Sequence, residues 1–325
     1  MATNLLLLLL ISYLFSFIPF SESTLTLDYY AKTCPKFQDI LRDVVQAKQS
    51  ENPTTAAATL RVFFHDCMVG GCDASVLVKS NSFNKAEVDA DINHSLAGDA
   101  FDLISRAKTA LELSCPGIVS CSDILAMATR DLVSVTGGPF YNVRLGRKDA
   151  TVSQASQVEG NLARSNSSVD TMINTFAAKG FAIQEMVALI GGGHTIGFAH
   201  CSEFANRIFG PNVDPSMNPV LVEGLRKICG NYTTNEGLSA FLDVMSPGVF
   251  DNTIFKNLQK GLGVLSTDQI LFSDPRTRPI IDKYAQDSKA FYDDFAKAMG
   301  KVSVYGVKTG RKGEVRKRCD VFNSV

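Results

Sequence analysis

Apolar residues recur at helical spacing in three long segments of the chain. The first segment follows Cys34-Pro35, and its apolar positions are Phe37, Ile40, Leu41, Val44 and Val45. This i, i+3, i+4, i+7 spacing predicts a helix with one buried face. The second segment covers residues 123–135 and stops at Gly137-Gly138-Pro139. The third contains Ile281, Tyr284, Ala285, Ser288, Phe291, Tyr292, Phe295 and Met299.

Strand patterns are short and few, and the best candidate covers residues 141–145. The sequence has no internal repeat, low-complexity tract or convincing linker. The pattern therefore predicts a single, mainly α-helical globular unit with very little β structure.

The N-terminus carries a different pattern, an unbroken leucine run at residues 5–10 that continues as apolar sequence to Phe20. Small and polar residues follow at Ser21-Glu22-Ser23. This arrangement is typical of a secretory signal peptide, although the usual basic residues before the apolar run are missing. A transmembrane anchor is the alternative, but the segment is short for a span and lacks flanking basic residues. We expect residues 1–23 to be the signal peptide and 24–325 the mature domain.

Composition narrows the possible partners. The chain has 325 residues, 45% of them hydrophobic, with a formal net charge of -1. Near-neutral charge gives no reason to expect nucleic-acid binding. A basic cluster near the C-terminus is interrupted by Glu314 and is interpreted as a solvated face, with weak attraction to an acidic polysaccharide as the alternative; its members are Arg311, Lys312, Arg316, Lys317 and Arg318. We expect a secreted monomer that binds neither nucleic acid nor membrane.

Eight cysteines also indicate the secretory route, because an even number behind a signal peptide indicates four disulfides formed in an oxidising lumen. Spacing alone leaves 105 pairings open. Three Asn-x-Ser/Thr glycosylation sequences, at Asn93, Asn166 and Asn231, also fit the secretory route.

The stretch 61–75 concentrates chemical groups. Arg61 and His65 lie four residues apart, so a helix places both on one face, beside the apolar Phe63 and Phe64. A partly desolvated imidazole can be neutral and accept a proton, while a guanidinium stabilises negative charge. Taken alone, the pair is more often an ordinary surface face.

Oxygen-bearing side chains follow immediately at Asp66, Asp73 and Ser75, with Gly70 and Gly71 between them. Such a loop suits Ca²⁺, which takes six to eight oxygen ligands, although the spacing is not that of an EF-hand. Cys67 and Cys72 could form a disulfide or half of a zinc site. A disulfide is favoured because no second cysteine pair has zinc-ribbon spacing.

A second group lies in the C-terminal half. His194 follows Gly191-Gly192-Gly193 at a predicted helix end, where glycines would let a flat ligand approach the backbone. A lone histidine of this kind is more often a core residue. Asp268 is a candidate carboxylate to accept from an imidazole N–H. A further oxygen-rich turn of Ca²⁺ type contains Asp243, Ser246 and Asp251.

Together these residues resemble the secretory plant peroxidases, the class III haem peroxidases, over nearly the whole mature chain. The matching runs are 61–75, His194-Thr195-Ile196-Gly197 with Cys201, residues 119–126, Leu145-Gly146-Arg147-Lys148-Asp149 and Phe250-Asp251-Asn252, together with the eight cysteines in order. The resemblance implies a two-lobed, mainly helical fold that holds one haem b between the lobes.

The resemblance also implies roles for individual residues. His194 is similar to the proximal ligand of the haem iron, with Asp268 accepting its other N–H. His65 would be the distal base that moves a peroxide proton, and Arg61 would stabilise negative charge as the O–O bond breaks. Asn93 would accept from His65 and therefore be buried, with its glycosylation sequence unused.

Three further roles follow from the resemblance. Phe64 would cover the iron, so that donors are oxidised at the haem edge, and Ala163 would lie by the donor channel. Two structural Ca²⁺ ions are implied. The distal ligands would be Asp66, Val69, Gly71, Asp73 and Ser75, with Glu87 reached through water; the proximal ligands would be Thr195, Asp243, Ser246, Val249 and Asp251. A buried Asp123–Arg147 ion pair and the pairings Cys34–Cys115, Cys67–Cys72, Cys121–Cys319 and Cys201–Cys229 are also implied.

The chain departs from the family pattern at several positions. Ala163 replaces a usual proline beside the donor channel, and Gly191-Gly192-Gly193 replaces a shorter turn. Ser246 stands for threonine and Met68 for phenylalanine. About two extra residues lie between positions 98 and 108. None of these changes removes a catalytic group.

The expected function is reduction of hydrogen peroxide, with one-electron oxidation of phenolic donors in the extracellular space or cell wall. The short tail after Cys319 resembles cell-wall rather than vacuolar members. An intracellular ascorbate-type peroxidase conflicts with the signal peptide, disulfides and Ca²⁺ loops. A non-catalytic wall-binding protein on the same scaffold is the main alternative, although Arg61, His65 and His194 are all present. A lipid or sterol carrier fits poorly, because carboxylates crowd both sites.

Overall fold

The computed structural model describes residues 24–211 and 213–324. The proposed signal peptide, residues 1–23, lies outside the described residues. Twelve α-helices form this part of the chain: α1 Phe37–Glu51, α2 Thr55–Val69, α3 Gly98–Ser114, α4 Cys121–Val135, α5 Val169–Ala177, α6 Ile183–Thr195, α7 Ala205–Ile208, α8 Pro219–Cys229, α9 Thr253–Leu258, α10 Ser266–Ser273, α11 Arg278–Gln286 and α12 Ser288–Val302. The prediction of a mainly helical chain is confirmed.

One small antiparallel sheet accounts for the strand content of the described residues. Strand β1, Phe198–His200, pairs with β2, Ser239–Phe241, so that Phe198 lies opposite Phe241. The predicted strand at residues 141–145 was wrong, because in that segment only Leu145 forms a bridge, to Thr26. Tyr141 and Val143 are buried alternately along an extended segment without a ladder partner, which reproduces a strand-like sequence pattern.

The helical periodicity was a reliable guide to the three long segments. In α1 the residues Phe37, Leu41 and Val45 are buried along one face. Helix α4 begins where the Ser120 hydroxyl accepts from the Asp123 backbone N–H. The third periodic segment spans two helices, because Asp287 ends α11 and its side chain caps the first turn of α12.

Two hydrophobic clusters organise the packing. The larger contains the buried faces of α1–α6 and α9–α12. The smaller contains Phe204, Ile208 and Leu225 from the region of α7 and α8, together with Leu242 after β2. Helix α2, from the N-terminal half, and helix α6, from the C-terminal half, both line a cavity of about 610 Å³. None of the described helices is both long and apolar enough to cross a membrane.

Four disulfides and the buried Asp123–Arg147 ion pair help to fix this arrangement. The bonds are Cys34–Cys115, Cys67–Cys72, Cys121–Cys319 and Cys201–Cys229, which is the pairing that the resemblance implies. Arg147 Nη1 lies 2.8 Å from Asp123 Oδ1, with both side chains fully buried. The Tyr30 hydroxyl donates to the other Asp123 oxygen at 2.7 Å. A buried pair of this kind is costly to break by removing one partner, typically by about 3–5 kcal/mol.

Candidate active site

Helix α2 supplies one wall of the cavity. Arg61, Phe64 and His65 line it, whereas Phe63 turns into the core on the opposite side of the helix. The four-residue spacing predicted this shared face for Arg61 and His65. The Phe64 ring packs against Phe176 of α5, with ring centroids 5.8 Å apart.

The protonation of His65 is set by its surroundings. Its Nδ1 lies 2.7 Å from Asn93 Oδ1, and Asn93 Nδ2 donates to the Glu87 carbonyl at 2.8 Å. The amide is thereby oriented with its oxygen toward the ring, so Nδ1 carries the proton and Nε2 is left as an acceptor. Burial, followed by the nearby Arg61 charge, lowers the pKa of His65 to about 3. The ring is therefore a neutral base across the physiological pH range.

Arg61 is fixed by contacts on the far side of its guanidinium. Nη1 donates to the Ser95 carbonyl at 2.8 Å, and Nη2 donates to the Ser95 hydroxyl at 2.9 Å. Burial lowers the pKa of Arg61, but a guanidinium stays charged in proteins. The cavity thus has a positive group and a neutral base on the same face.

The opposite wall is formed by the end of α6. His194 Nδ1 lies 2.6 Å from Asp268 Oδ1, and Asp268 is buried in α10. A carboxylate only accepts when ionised, so the imidazole donates from Nδ1 and keeps Nε2 for a ligand. Asp268 Oδ2 is buried and has no hydrogen-bond partner. The structure therefore brings both predicted histidines to one cavity.

The three glycines before His194 differ in what they contact. A Cβ at Gly191 would overlap the ring of Phe255, and one at Gly192 would overlap Phe295. Only Gly193 of the three lines the cavity. Two of these glycines thus permit close packing of α6 against aromatic rings, rather than approach by a flat ligand, and α6 stays regular through this run.

The cavity mouth contains residues that the sequence reasoning missed. Ala163 lines the cavity, and so do Asp91, Arg164, His200 and Glu203. Arg164 forms ion pairs with Asp91 and with Glu159, each at 2.8 Å. His200 Nδ1 is buried and has no hydrogen-bond partner. Charged residues in a loop give no sequence signal for this position, because only the fold brings 91, 164 and 203 together.

Comparisons with known proteins agree with this geometry. The family model described as Peroxidase matches residues 41–287, more than half of the chain. Peroxidase 41 of Arabidopsis thaliana is 59% identical over 301 residues, covering 93% of this chain and 92% of that protein. Peroxidase 65 is 55% identical over 298 residues, covering 92% and 89%, and Peroxidase 63 is 53% identical over 319 residues, covering 98% and 97%; both are from the same plant.

The chain belongs to the peroxidase family. It is accordingly an oxidoreductase of the class that uses hydrogen peroxide, an electron donor and a haem cofactor. The relatives are named as peroxidases, so a non-catalytic wall-binding protein is not favoured.

The peroxidase has two oxygen-rich clusters, one beside each histidine. In the first, which we term the distal cluster (Asp66, Asp73, Ser75 and Glu87), Asp66 Oδ2 accepts from the backbone N–H of Asp73 at 3.1 Å, and the Ser75 hydroxyl donates to Glu87 Oε2 at 3.0 Å. All four side chains are buried. Burial, then the charges of Asp73 and Glu87, raises the pKa of Asp66. Burial, followed by Asp73, likewise raises the pKa of Glu87 to about 7.

The second, the proximal cluster (Thr195, Asp243, Ser246 and Asp251, with the Val249 carbonyl), begins at the residue after His194. The Thr195 hydroxyl donates to the Asp251 carbonyl at 2.9 Å, and the Ser246 hydroxyl donates to Asp251 Oδ1 at 3.1 Å. Asp243 Oδ1 accepts from the Ser246 N–H, but its Oδ2 is buried without a partner. Burial raises the pKa of Asp243.

Neither cluster is a conventional set of charged ligands. Within the described residues, no group of three His, Cys, Asp or Glu side chains is arranged to hold a metal ion. A cation here would depend on hydroxyl and carbonyl oxygens as well, which is chemistry that suits Ca²⁺. The orphaned Asp243 oxygen fits such an ion at the proximal cluster.

The distal cluster contains one more residue that the sequence did not indicate. The Lys308 ammonium contacts Asp73 Oδ2. Near this loop, Met68 is buried, so its thioether is shielded from solvent.

The three glycosylation sequences differ in exposure. Asn93 is buried and hydrogen-bonded to His65, while Asn166 and Asn231 are exposed.

Proposed function

We propose that this peroxidase binds one haem b between His65 and His194 and oxidises small phenolic donors with hydrogen peroxide in one-electron steps. The observation that carries the proposal is the matched pair of histidines. Each has Nδ1 tied to a protein acceptor, and both line one cavity of about 610 Å³. This volume lies in the range of cofactor sites.

On the proximal side, His194 would hold the iron through Nε2. The Asp268 carboxylate accepts the Nδ1 proton and so increases the electron donation of the ring. The haem, when bound, supplies the redox chemistry between peroxide and donor.

On the distal side, His65 moves a proton. As a neutral base, it would accept the proton from the inner oxygen of hydrogen peroxide and return it to the outer oxygen. The outer oxygen would then leave as water, with the bound haem supplying the two electrons that cleavage of the O–O bond requires. Arg61 places a positive charge where negative charge grows on the separating oxygens. The hydrogen bond from His65 to Asn93 keeps Nε2 available as the acceptor.

Donors would reach the haem edge at the cavity mouth. Phe64 packs on Phe176 and would cover the haem centre, which would leave the haem edge for donors. Ala163 leaves more room than the usual proline, and the Arg164–Asp91 ion pair gives the mouth a polar rim. Small phenols match an apolar cavity with a polar rim.

Calcium would be structural. At the proximal cluster the ligands would be Thr195, Asp243, Ser246 and Asp251 with the Val249 carbonyl, and the ion would fix the end of α6 next to His194. At the distal cluster the candidates are Asp66, Asp73 and Ser75 with the carbonyls of Asp66, Val69 and Gly71, and Glu87 through water.

The compartment of this function would be the extracellular space or cell wall. The signal peptide at 1–23 would be removed, leaving 24–325 as the haem peroxidase domain and a monomer. Four disulfides support an oxidising compartment.

The first test is an absorption spectrum of the mature chain, refolded with haemin and Ca²⁺. We expect a Soret band that shifts with one equivalent of hydrogen peroxide and returns when guaiacol is added. The His65→Ala variant is the control and should bind haem without the rapid shift. Haem binding without any shift in the natural chain would favour the non-catalytic scaffold, and the absence of a Soret band would overturn the proposal.

A further inference from the structure

A lysine side chain enters the cluster where a divalent cation is expected. Lys308 pairs with Asp73, whose side chain is only 2% exposed, whereas Lys308 is 30% exposed. The ammonium therefore reaches inward from the surface to a buried carboxylate. Among the ion pairs of the described residues, the Lys308–Asp73 pair is the one that involves a carboxylate of the distal cluster.

The position of Lys308 is fixed by the backbone and is not a chance contact of a long side chain. The Lys148 N–H donates to the Lys308 carbonyl at 2.8 Å. Two residues earlier, Gly306 has a φ of +59° and packs on Gly71, so closely that a Cβ on either glycine would overlap the other backbone. The segment with Lys308 is thus fastened to the loop whose carbonyls are calcium candidates.

The charges in the distal cluster explain why a cation is needed there. Asp66, Asp73 and Glu87 are buried together, and a buried charge without a partner is strongly unfavourable. Lys308 supplies one positive charge in direct contact with Asp73. The requirement for a divalent ion is therefore partly met by the chain itself.

No lysine or arginine is paired with a carboxylate of the proximal cluster among the described residues. Asp243 and Asp251 take part in none of the ion pairs of the described residues, and Asp243 Oδ2 has no partner. A bound cation is the simplest way to satisfy that oxygen.

We propose that the Lys308 ammonium takes the place of a divalent cation at the distal cluster, so that the enzyme binds calcium tightly at the proximal cluster and only weakly at the distal one. Calcium would have to displace the lysine from Asp73 before it could bind. This inference rests on the proposed calcium-dependent haem peroxidase and specifies how its two sites differ.

The test counts calcium on the haem-loaded enzyme. After treatment with a mild chelator, the natural chain and Lys308→Met are equilibrated by dialysis against increasing ⁴⁵Ca²⁺. We expect one tight calcium per chain in the natural enzyme and two in Lys308→Met, with distal affinity raised at least about tenfold because a nearby unit charge has gone. Lys312→Met removes an exposed lysine four residues away and should keep the natural count.

Different failures have different meanings. Two tight ions in the natural enzyme, unchanged in Lys308→Met, would overturn the inference alone. One ion in both proteins would also overturn it, because the lysine would not be what limits binding. If neither protein binds calcium while both give the peroxide-sensitive Soret band, the calcium part of the proposed function fails and the haem part stands.

Two further variants keep the test decisive if Lys308→Met does not fold. Asp73→Asn in the natural background should leave the count of tight ions at one, whereas a fall from two to one would contradict the inference. Lys308→Arg retains the charge and should also keep one tight ion, and a second tight ion in that variant would count against it.

Discussion

The distal and proximal sides of the cavity are built alike but differ in the charge of the groups around each histidine. Each has a histidine held through Nδ1 and an oxygen-rich cluster close by. On the distal side the ring acceptor is the neutral amide of Asn93, and Lys308 brings a positive charge to the cluster. On the proximal side the acceptor is the carboxylate of Asp268, and the cluster leaves an Asp243 oxygen unpartnered. The difference shows that the acceptor at Nδ1 sets the chemistry of each histidine. The neutral amide leaves His65 as a free base, and the carboxylate makes His194 a stronger electron donor.

The largest expected effect comes from removing the distal base. His65→Ala should slow the reaction with hydrogen peroxide by about 10³-fold, since positioned acid–base catalysis typically contributes 10²–10⁴-fold. Stopped-flow spectroscopy of the Soret band measures this rate directly. A loss below about tenfold, with haem binding intact, would show that the proton is moved by another group.

The proximal cluster is tested by Asp243→Asn, which removes the charge and the unpartnered oxygen. We expect about 100-fold weaker calcium binding, together with a lower melting temperature, because the end of α6 loses its anchor. Dialysis with calcium and thermal unfolding monitored at the Soret band measure the two effects. Ser202→Ala, at an exposed position after β1, serves as a control. Unchanged calcium affinity would remove Asp243 from the ligand set.

A swap on the proximal side makes it resemble the distal side. Asp268→Asn replaces the carboxylate with a neutral amide, and we expect a 10- to 100-fold loss in activity because His194 becomes a weaker donor. The reduction potential of the haem should rise at the same time, and spectroelectrochemistry measures it. An unchanged potential would mean that Asp268 only positions the ring.

The reverse swap has the smallest effect and concerns pH. In the natural enzyme the pKa of His65 is lowered to about 3, so the neutral base is present above about pH 3 and is lost as the pH falls through that value. Asn93→Asp places a carboxylate on Nδ1, which favours imidazolium and raises the pKa. The acid limb of the peroxide reaction should move to higher pH, with roughly tenfold slower reaction near pH 5. An identical pH–rate profile would contradict the assigned role of Asn93.

Local features were predictable from the sequence, because periodicity and short spacing operate within one helix. Arg61 and His65 needed only a four-residue spacing, and α1 and α4 needed only their apolar faces. The partners of the histidines, Asn93 and Asp268, lie 28 and 74 residues away in the chain. The role of Asn93 came from the family resemblance alone. Asp268 had been a candidate carboxylate from its own sequence, but only the resemblance paired it with His194, since no local pattern links residues at that distance.

Other features escaped prediction for the same physical reason. Lys308 is separated from Asp73 by 235 residues. A lysine in a surface loop is expected to point into solvent, so its sequence gives no indication of a buried partner. Gly191 and Gly192 suggested room for a ligand, but the tertiary fold places aromatic rings there. The buried alternation at 141–145 predicted a strand, yet the fold offers it no ladder.

The attachment of the C-terminal segment to the distal loop has a consequence for biosynthesis. The Cys72 N–H donates to the Tyr305 carbonyl, and Arg316 Nη2 donates to the Ala74 carbonyl at 2.6 Å. The ribosome makes α2 early, but these contacts become available only after Tyr305 and Arg316 have emerged. A chain growing from its N-terminus would thus carry an unfinished distal loop until the segment through Arg316 had been made, so this loop would fold late although its own residues are made early.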